Sequence, residues 1–513
     1  MKSYNIAHRS YLKTCLTVFG IFVCSFFAVD AEAQYVLTLN DAIDVALEKS
    51  YDMKSLRLSL TQSEKNYQAA KYRFRTQVDM DLSVPSWSER ISAVEVPNSI
   101  PIYNRFGTMR MSGNVDVRQP LPTDGYLSLR SQLYQTNEMT DLANSDDEIK
   151  GKTFFSSFGL VFNQPLFTYN RLKTGLKQTE LNYEQTSKRL TRSRLDLVYN
   201  VTQSFFNLYR LTRTLEISQE TLDQRKEVYD LAKLKYEAGL IPEVDALQAE
   251  VDYASAQADY LEAEAGLERQ EDQFKLDLGL KPTDDVSVDA DITYAQVDVS
   301  LEKALAEGRK RRSEIREQEI DIELQRLSLV EVDSRSEITA NLRAFYDLTG
   351  ISDPYLPYST SSMNLFDSSW DDLQRRPRNR GVTLTFNVPI WDWGVNKAEV
   401  ASSKASLKRT ELFLDEQHKM VENSIRDVVR RVKEAERRLV VLQKSQEVAN
   451  RSYVISLERF NNGEISSQEL ALDNNRLTSA KMNYLGAFIN FKLAMADLKR
   501  KTFWDFENNR AIE

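Results

Sequence analysis

The chain has 513 residues, of which 67 are Lys or Arg and 76 are Asp or Glu, so its formal net charge is −9. An acidic chain of this kind argues against a nucleic-acid partner. Glycine and proline are scarce, at 16 and 12 residues, which argues against a fold with many turns and predicts long secondary-structure elements.

The start of the chain has the features of an export signal. Basic residues precede an apolar run over 16–29, and a small-x-small sequence, Ala-Glu-Ala, follows at 31–33. The alternative is a membrane anchor, for which the apolar run is short. We therefore predict a signal peptide at 1–33 with cleavage before Gln34.

Cysteine and histidine are almost confined to this signal. Cys15, Cys24 and His8 lie within it, so the exported chain has no cysteine and only one histidine, His418. We therefore expect no disulfide, no metal site and no cofactor. No later apolar run is long enough for a transmembrane helix.

The remainder of the chain contains two copies of one unit. The sequence LVFNQPLFTYN at 160–170 matches LTFNVPIWDWG at 384–394, and the offset between them is 224 positions. The landmarks that keep this offset are Pro165 with Pro389, Gly239 with Gly463, and Tyr260 with Tyr484.

An earlier and weaker correspondence has an offset of 262 positions and joins Leu39 and Ala42 to Leu301 and Ala304. The offset falls from 262 positions at the start of the copies to 224 positions further along, so the first copy contains additional chain between these landmarks. This additional chain lies between 78 and 155, where the composition indicates strands and loops. Each copy is predicted to contain a helix, a strand region, a long helix, a tight turn and a second long helix. We assign the first repeat to 34–280, a link to 281–300 and the second repeat to 301–513.

A segment of alternating polar and apolar residues precedes each long helix. It ends in aromatic residues, Phe167 and Tyr169 in the first copy and Trp391 and Trp393 in the second. This pattern is typical of a transmembrane β-strand with interfacial aromatics, although the strand alone fits an ordinary amphipathic strand of a soluble sheet equally well. In both copies the strand leads directly into a rod-like helix, and this favours a transmembrane strand over a strand of a soluble sheet.

A membrane sheet must close into a barrel. Two strands per copy give four per chain, which is too few to close, so three chains would supply twelve. The segments Gly113–Gln119 and Tyr126–Tyr134, on either side of PLPTDG, form a candidate additional hairpin that the sequence does not place.

The long helices have apolar residues at alternating spacings of four and three, which predicts coiled-coil packing. In the second copy this seam includes Val421, Ile425, Val428, Val432 and Leu439. The first copy has the same seam with polar interruptions, one of them Arg225. The stretch from 169 to 238 predicts a helix of roughly 100 Å, a length that suits a device crossing a wide aqueous gap.

The turns between the long helices use different residues for one task. Gly239 permits the first reversal, and Pro242 stands where the next helix begins. Gly463 permits the reversal in the second turn, and Ser466 with Glu469 forms a predicted capping box at the start of the following helix.

Together, the signal, the tandem copies, the strands ending in QPLF or VPIW, and the glycine turns resemble the TolC-like outer membrane efflux protein family, the outer membrane factors. The resemblance covers nearly all of the exported chain. It implies a mainly α fold with a small β part, in which a trimeric twelve-stranded outer membrane barrel continues into a long coiled-coil periplasmic tunnel. It also implies a homotrimer in outer membrane lipid, with most of the chain in the periplasm, and partners that are a periplasmic adaptor (membrane fusion) protein and an inner-membrane pump of the RND or ABC type.

The resemblance also implies roles for the two turns. The adaptor-docking tip maps onto Ala238, Gly239 and Leu240 and onto a second triplet, which is Asn462, Gly463 and Glu464. The first triplet has the family's hydrophobic-glycine-hydrophobic pattern, whereas the second departs from it on both sides of the glycine.

In the family, acidic residues just beyond the tip narrow the pore. Asp245 and Glu469 lie six positions past the glycines and would select cations or act as a gate. The next acid of the second copy is replaced by Leu472, with Asp473 adjacent as a candidate. The alternative is that acids in the first turn of a helix only interact favourably with the helix dipole.

These observations predict a passive exit duct of a tripartite efflux or secretion system, with no cofactor and no enzymatic activity. The alternative is a periplasmic coiled-coil scaffold that is not inserted in the membrane. A hydrolase finds no support, because no nucleophile–base set is recognisable.

Overall fold

The computed structural model of the protein describes residues 34–95, 100–141, 148–289 and 297–512. The predicted signal peptide at 1–33 lies outside these residues, as does part of the predicted link. The helices within the described ranges are α1 (Leu39–Lys49), α2 (Tyr51–Tyr72), α3 (Arg171–Glu237), α4 (Glu243–Leu278), α5 (Leu301–Arg311), α6 (Ser313–Asp333), α7 (Ser362–Arg375), α8 (Val395–Asn461) and α9 (Ser467–Thr502). The strands there are β1 (Gln34–Leu37), β2 (Gln77–Val94), β3 (Ile102–Pro120), β4 (Tyr126–Asp141), β5 (Glu148–Leu166), β6 (Asp285–Val288), β7 (Thr339–Ile351), β8 (Asn379–Asn387), β9 (Trp504–Asp505) and β10 (Arg510–Ala511).

The helix boundaries reproduce both offsets found in the sequence. Helices α3 and α8 each have 67 residues, α4 and α9 each have 36, and every corresponding boundary differs by the first offset. Helices α1 and α5 each have 11 residues and begin at Leu39 and Leu301, which are separated by the second offset. The predicted long helices and the constant offset are therefore confirmed.

The chain forms two compact units, and each unit contains part of both copies. The first unit takes its described residues from Met1–Ser55, Ser193–Arg311 and Glu422–Glu513, and the second consists of Leu56–Arg192 and Arg312–Val421.

The core of the first unit is helical and partly aromatic. Phe205 of α3, Phe274 of α4 and Phe488 of α9 are fully buried, and the Phe205 and Phe274 rings lie 6.3 Å apart, centroid to centroid. The predicted coiled-coil seam of α8 is buried at the residues Val421, Ile425, Val428, Val432 and Leu439. A parallel pair of β1 and β6 also belongs to this unit.

The second unit contains a six-stranded sheet in the order β2-β3-β4-β5-β7-β8. Every neighbouring pair is antiparallel. The expectation of two strands per copy holds for the second copy and is wrong for the first copy, which contributes four. The candidate hairpin segments lie within β3 and β4, so the hairpin forms two neighbouring strands of this sheet, between β2 and β5.

Helix α7 packs against β5 and β7 in the same unit. The Ser156 and Ser369 hydroxyls lie 2.7 Å apart, and Phe158 meets Trp370 edge-to-face at 5.7 Å. Gly350 allows this approach, because a Cβ atom there would lie 2.1 Å from the carbonyl oxygen of Ser369. Across the described residues, no helix combines the length and apolar character needed to cross a membrane.

Candidate functional site

The two turns between long helices have the same backbone geometry. Gly239 and Gly463 adopt φ values of +70° and +76°, which glycine tolerates best. In the first turn the Leu240 N–H donates to the Lys235 carbonyl at 2.8 Å, and in the second the Glu464 N–H donates to the Arg459 carbonyl at 2.9 Å. This six-to-one hydrogen bond after a left-handed glycine is a Schellman motif.

The helices after the turns begin with different caps. Pro242 is the N-cap of α4 and has no side-chain hydrogen bond, whereas the Ser466 hydroxyl caps α9 by accepting from the Glu469 N–H at 3.3 Å. The Ser466 half of the predicted capping box is thus confirmed.

The two turns are in contact with each other. The Lys235 ammonium donates to the Phe460 carbonyl at 3.0 Å and lies over the Phe460 ring, and the Ser467 hydroxyl donates to the Asp245 carbonyl at 3.4 Å. A hydrophobic cluster underneath is built from Tyr453, Phe460, Leu470 and Leu477. The first unit therefore presents both glycine turns side by side.

The first turn exposes an apolar surface and the second a polar one. Leu240 is 73% exposed, and Ala238 and Gly239 are exposed beside it. Asn462 and Glu464 are exposed at the corresponding positions of the second turn.

The predicted constriction residues occupy two places. Asp245 and Glu469 line one open depression together with residues of both turns. Asp473 lies instead in the groove between α8 and α9, where its carboxylate accepts from the Ser456 hydroxyl and from Arg476. The Ser456 hydrogen bond holds the pKa of Asp473 below its usual value, so this carboxylate stays ionised at neutral pH.

Arg225 is a residue whose importance the sequence reasoning missed. Its side chain is buried and lies 3.5 Å from Asp252 of α4. It donates to the Asn475 side chain at 2.9 Å and to the Ala471 carbonyl at 3.1 Å, both on α9. Burial lowers the pKa of the guanidinium from its ordinary value, and these acceptors offset part of that cost. Arg225 therefore joins the first helical hairpin to α9.

The six-stranded sheet has an apolar face and a polar face. Register partners across antiparallel strands lie on one face. One row of partners is mainly apolar and consists of Val78, Val117, Leu129, Leu160 and Tyr346, with Arg380 at its end on β8. The next row lies on the opposite face and consists of Asp79, Asp116, Arg130, Gly159 and Asp347.

The apolar face is exposed where α7 does not cover it, and it also carries an ion pair of Arg105 with Glu89 at 3.0 Å towards the ends of the strands far from the long helices. Val78 is 64% exposed and Val382 of β8 is 74% exposed. On the polar face Arg130 and Asp116 form an ion pair at 3.0 Å, and the Ser128 hydroxyl donates to the same carboxylate. An exposed apolar surface of this extent marks an interaction with lipid or with another protein.

The aromatic residues predicted at the membrane interface lie between the strands and the long helices. Trp391 and Trp393 are 75% and 88% exposed, and their rings meet edge-to-face at 5.6 Å. Phe167 is also exposed, and Tyr169 is half-buried.

Comparisons with known proteins give the family of the chain. The model of the family described as "Outer membrane efflux protein" matches residues 143–279 and 359–500, which together exceed half of the chain. No match is found among curated protein sequences.

Solved structures give the fold. The chain is similar to the Campylobacter jejuni CmeC outer membrane channel at 14% identity, with 93% of this chain and 90% of that chain covered and a TM-score of 0.65. It is similar to the Neisseria gonorrhoeae MtrE outer membrane channel at 14% identity, with coverages of 90% and 88% and a TM-score of 0.64. It is also similar to the Vibrio cholerae outer membrane protein VceC at 14% identity, with coverages of 90% and 95% and a TM-score of 0.62. The chain belongs to the outer membrane efflux protein family.

Proposed function

We propose that the protein is an outer membrane channel, a passive exit duct of a tripartite efflux or secretion system that works as a homotrimer. The sheet carries this proposal, because it has one exposed apolar face and one polar face. An apolar outer surface suits lipid, and a polar inner surface suits a water-filled lumen. Strands β5 and β8 each lead within a few residues into a 67-residue helix, as a duct that continues into the periplasm requires.

The interfacial residues support this placement. Phe167, Tyr169, Trp391 and Trp393 follow the ends of β5 and β8, where a membrane strand would leave the lipid. Trp and Tyr rings, which have a polar edge, are enriched at this depth, and this set contains Tyr169, Trp391 and Trp393. The side from which these residues lead into the helices is the periplasmic side, and the export signal predicted at 1–33 brings the chain there.

The two glycine turns are the proposed docking tip for a periplasmic adaptor protein. The exposed apolar surface at Ala238, Gly239 and Leu240 suits contact with an apolar partner surface. The polar surface at Asn462 and Glu464 suits a second, more hydrophilic contact. An inner-membrane pump of the RND or ABC type would supply the energy.

The acidic residues near the tip are the proposed constriction. Asp245 and Glu469 share one depression, so three copies around an axis would place six carboxylates near the opening. Such a ring favours cations over anions. Asp473 would add negative charge behind this ring while remaining bonded to Ser456.

Conductance in planar lipid bilayers tests the proposed function. A duct gives discrete current steps after reconstitution from detergent, and the steps disappear when the protein is heat-denatured first. A periplasmic coiled-coil scaffold gives no current steps and is released from cells without detergent, and that result would reject the channel.

A further inference from the structure

We propose that the hairpin β3-β4 forms part of the membrane wall, and that three copies of the chain close an eighteen-stranded barrel through contacts between β8 of one copy and β2 of the next. This inference rests on the proposed function. It differs from the twelve strands expected from the sequence, because each copy places six strands in one sheet.

The hairpin has the same two faces as the rest of the sheet. Val117 of β3 and Leu129 of β4 are partners in the apolar row, and Asp116 and Arg130 are partners in the polar row. Strand β3 has 19 residues and pairs with β2 on one side and β4 on the other. On the same face the hairpin has Met111, Val115 and Leu133, with Ser131 and Gln135 between them. A hairpin folded into the lumen would not need a mainly apolar face, so this pattern supports a place in the wall.

The turn of the hairpin is fixed to the start of α3. The Asn170 side chain donates to the Pro122 carbonyl at 2.8 Å, and the Gln164 side chain donates to the Thr123 carbonyl at 3.1 Å. The Asp124 carboxylate accepts from the Arg171 N–H at 3.4 Å, at the first residue of the helix. The hairpin is thus bonded to the junction through which β5 continues into α3.

The two edge strands are suited to meet each other. All six strands alternate in direction, so β2 and β8 run in opposite directions and would pair antiparallel between copies. Both edges are exposed along nearly their whole length. An open edge cannot persist in lipid, because its backbone N–H and C=O groups have no partner there.

The lengths of these edges also match. A bulge between Ser83 and Ser86, with Pro85 inside it, interrupts β2. The regular stretch before the bulge is 77–83, which is close in length to β8 (Asn379–Asn387). A proline at a bulge is where edge pairing ends.

Within these stretches the side chains alternate in the same way. The apolar positions are Val78, Met80 and Leu82 on β2 and Val382, Leu384 and Phe386 on β8. Pairing of the two edges would therefore continue both the apolar and the polar face from one copy to the next, which favours a second copy of this chain as the occupant.

The extra strands widen the barrel. At a strand spacing of about 4.8 Å and a tilt of about 40°, twelve strands give a mean diameter of about 24 Å and eighteen give about 36 Å. The expected effect is a barrel about 1.5-fold wider than one built from four strands per chain, because the diameter grows in proportion to the number of strands.

Cysteine cross-linking of the full chain tests the contact, because the sequence has no cysteine after Cys24. Thr383→Cys is combined in turn with Asp79→Cys, Asp81→Cys or Ser83→Cys, all on the polar face. We expect at least one pair to give disulfide-linked dimers and trimers in membranes. The matched control, Asp79→Cys with Asp116→Cys, joins register partners of one chain and should oxidise without an increase in mass.

Electron microscopy of the detergent-extracted protein measures the barrel directly. We expect the diameter of eighteen strands for the intact chain and the diameter of twelve strands when 96–147 is deleted so that β2 joins β5. An intact, membrane-inserted trimer that already has the twelve-strand diameter would overturn the eighteen strands and leave the channel standing. The contact between β8 and β2 would be overturned if all three pairs failed to cross-link while the control oxidised.

If the deletion variant does not fold, the width of the intact barrel still decides the number of strands, whereas the cross-links test the contact between β2 and β8, which a twelve-stranded barrel would share. Protein that is absent from membranes would reject the proposed function itself.

Discussion

Replacing Gly239 by Arg is expected to abolish export while leaving the trimer assembled. A residue with a side chain at φ +70° costs about 1–2 kcal/mol in each chain. Nothing lies within 4 Å of a Cβ atom built there, so no clash adds to this strain. The cost is small compared with the stability of a folded domain, about 5–15 kcal/mol, and assembly should persist.

The effect on export should come from bulk and charge at the docking tip. Gly239→Ala carries the same backbone strain without the bulk, so it should retain most of the export. Gly463→Arg imposes a similar strain, at φ +76°, on the polar turn and tests whether both turns are equally sensitive. Export of a fluorescent substrate from cells and the mass of the detergent-extracted protein are measured for each variant. Normal export by assembled Gly239→Arg trimers would refute docking at this turn.

Two further predictions concern side chains of the first unit. Replacing both Asp245 and Glu469 by Ala should raise single-channel conductance or weaken cation preference in planar bilayers, and unchanged values would limit these acids to a role in their helices' first turns. Arg225→Ala should lower the free energy of unfolding by about 2–4 kcal/mol, because three acceptors lose a buried charged donor. Arg210→Ala, at an exposed position of the same helix, should change it by less than about 0.5 kcal/mol. Denaturant unfolding followed by circular dichroism measures the stability of both variants. Equal unfolding midpoints for Arg225→Ala and Arg210→Ala would contradict the structural role of Arg225.

The sequence predicted the helical part of the fold well, because the repeat supplied independent evidence for each boundary. The offset between Gly239 and Gly463 applies to every boundary of the long helices. A left-handed turn between two coiled-coil helices is a local requirement that glycine meets by itself.

The strand count was missed for a physical reason. Apolar residues of β2 alternate at Val78, Met80 and Leu82, but the bulge at Pro85 shifts the alternation by one position before Trp87 and Ile91. A period-two pattern that is broken in this way cannot be recognised in the sequence as one strand of 18 residues.

Two parts of the site depend on distant contacts. Asn475, the polar partner of Arg225 in α9, lies 250 residues away along the chain. The sequence alone therefore showed Arg225 only as a charged residue that interrupts an apolar coiled-coil seam. Helix α7 had a local signal in its N-cap Ser361 and in the regular spacing of Leu365, Ser369 and Leu373. That signal predicts a helix but does not show that it packs on β5 and β7.

The mass and shape of the mature protein after detergent extraction test the central claim most directly. Light scattering gives the mass, and negative-stain images give the shape. We predict a trimeric, elongated cylinder that is recovered from the outer-membrane fraction. A monomer or dimer that is recovered without detergent would show that the strands do not lie in a membrane, and the protein would then be a periplasmic scaffold.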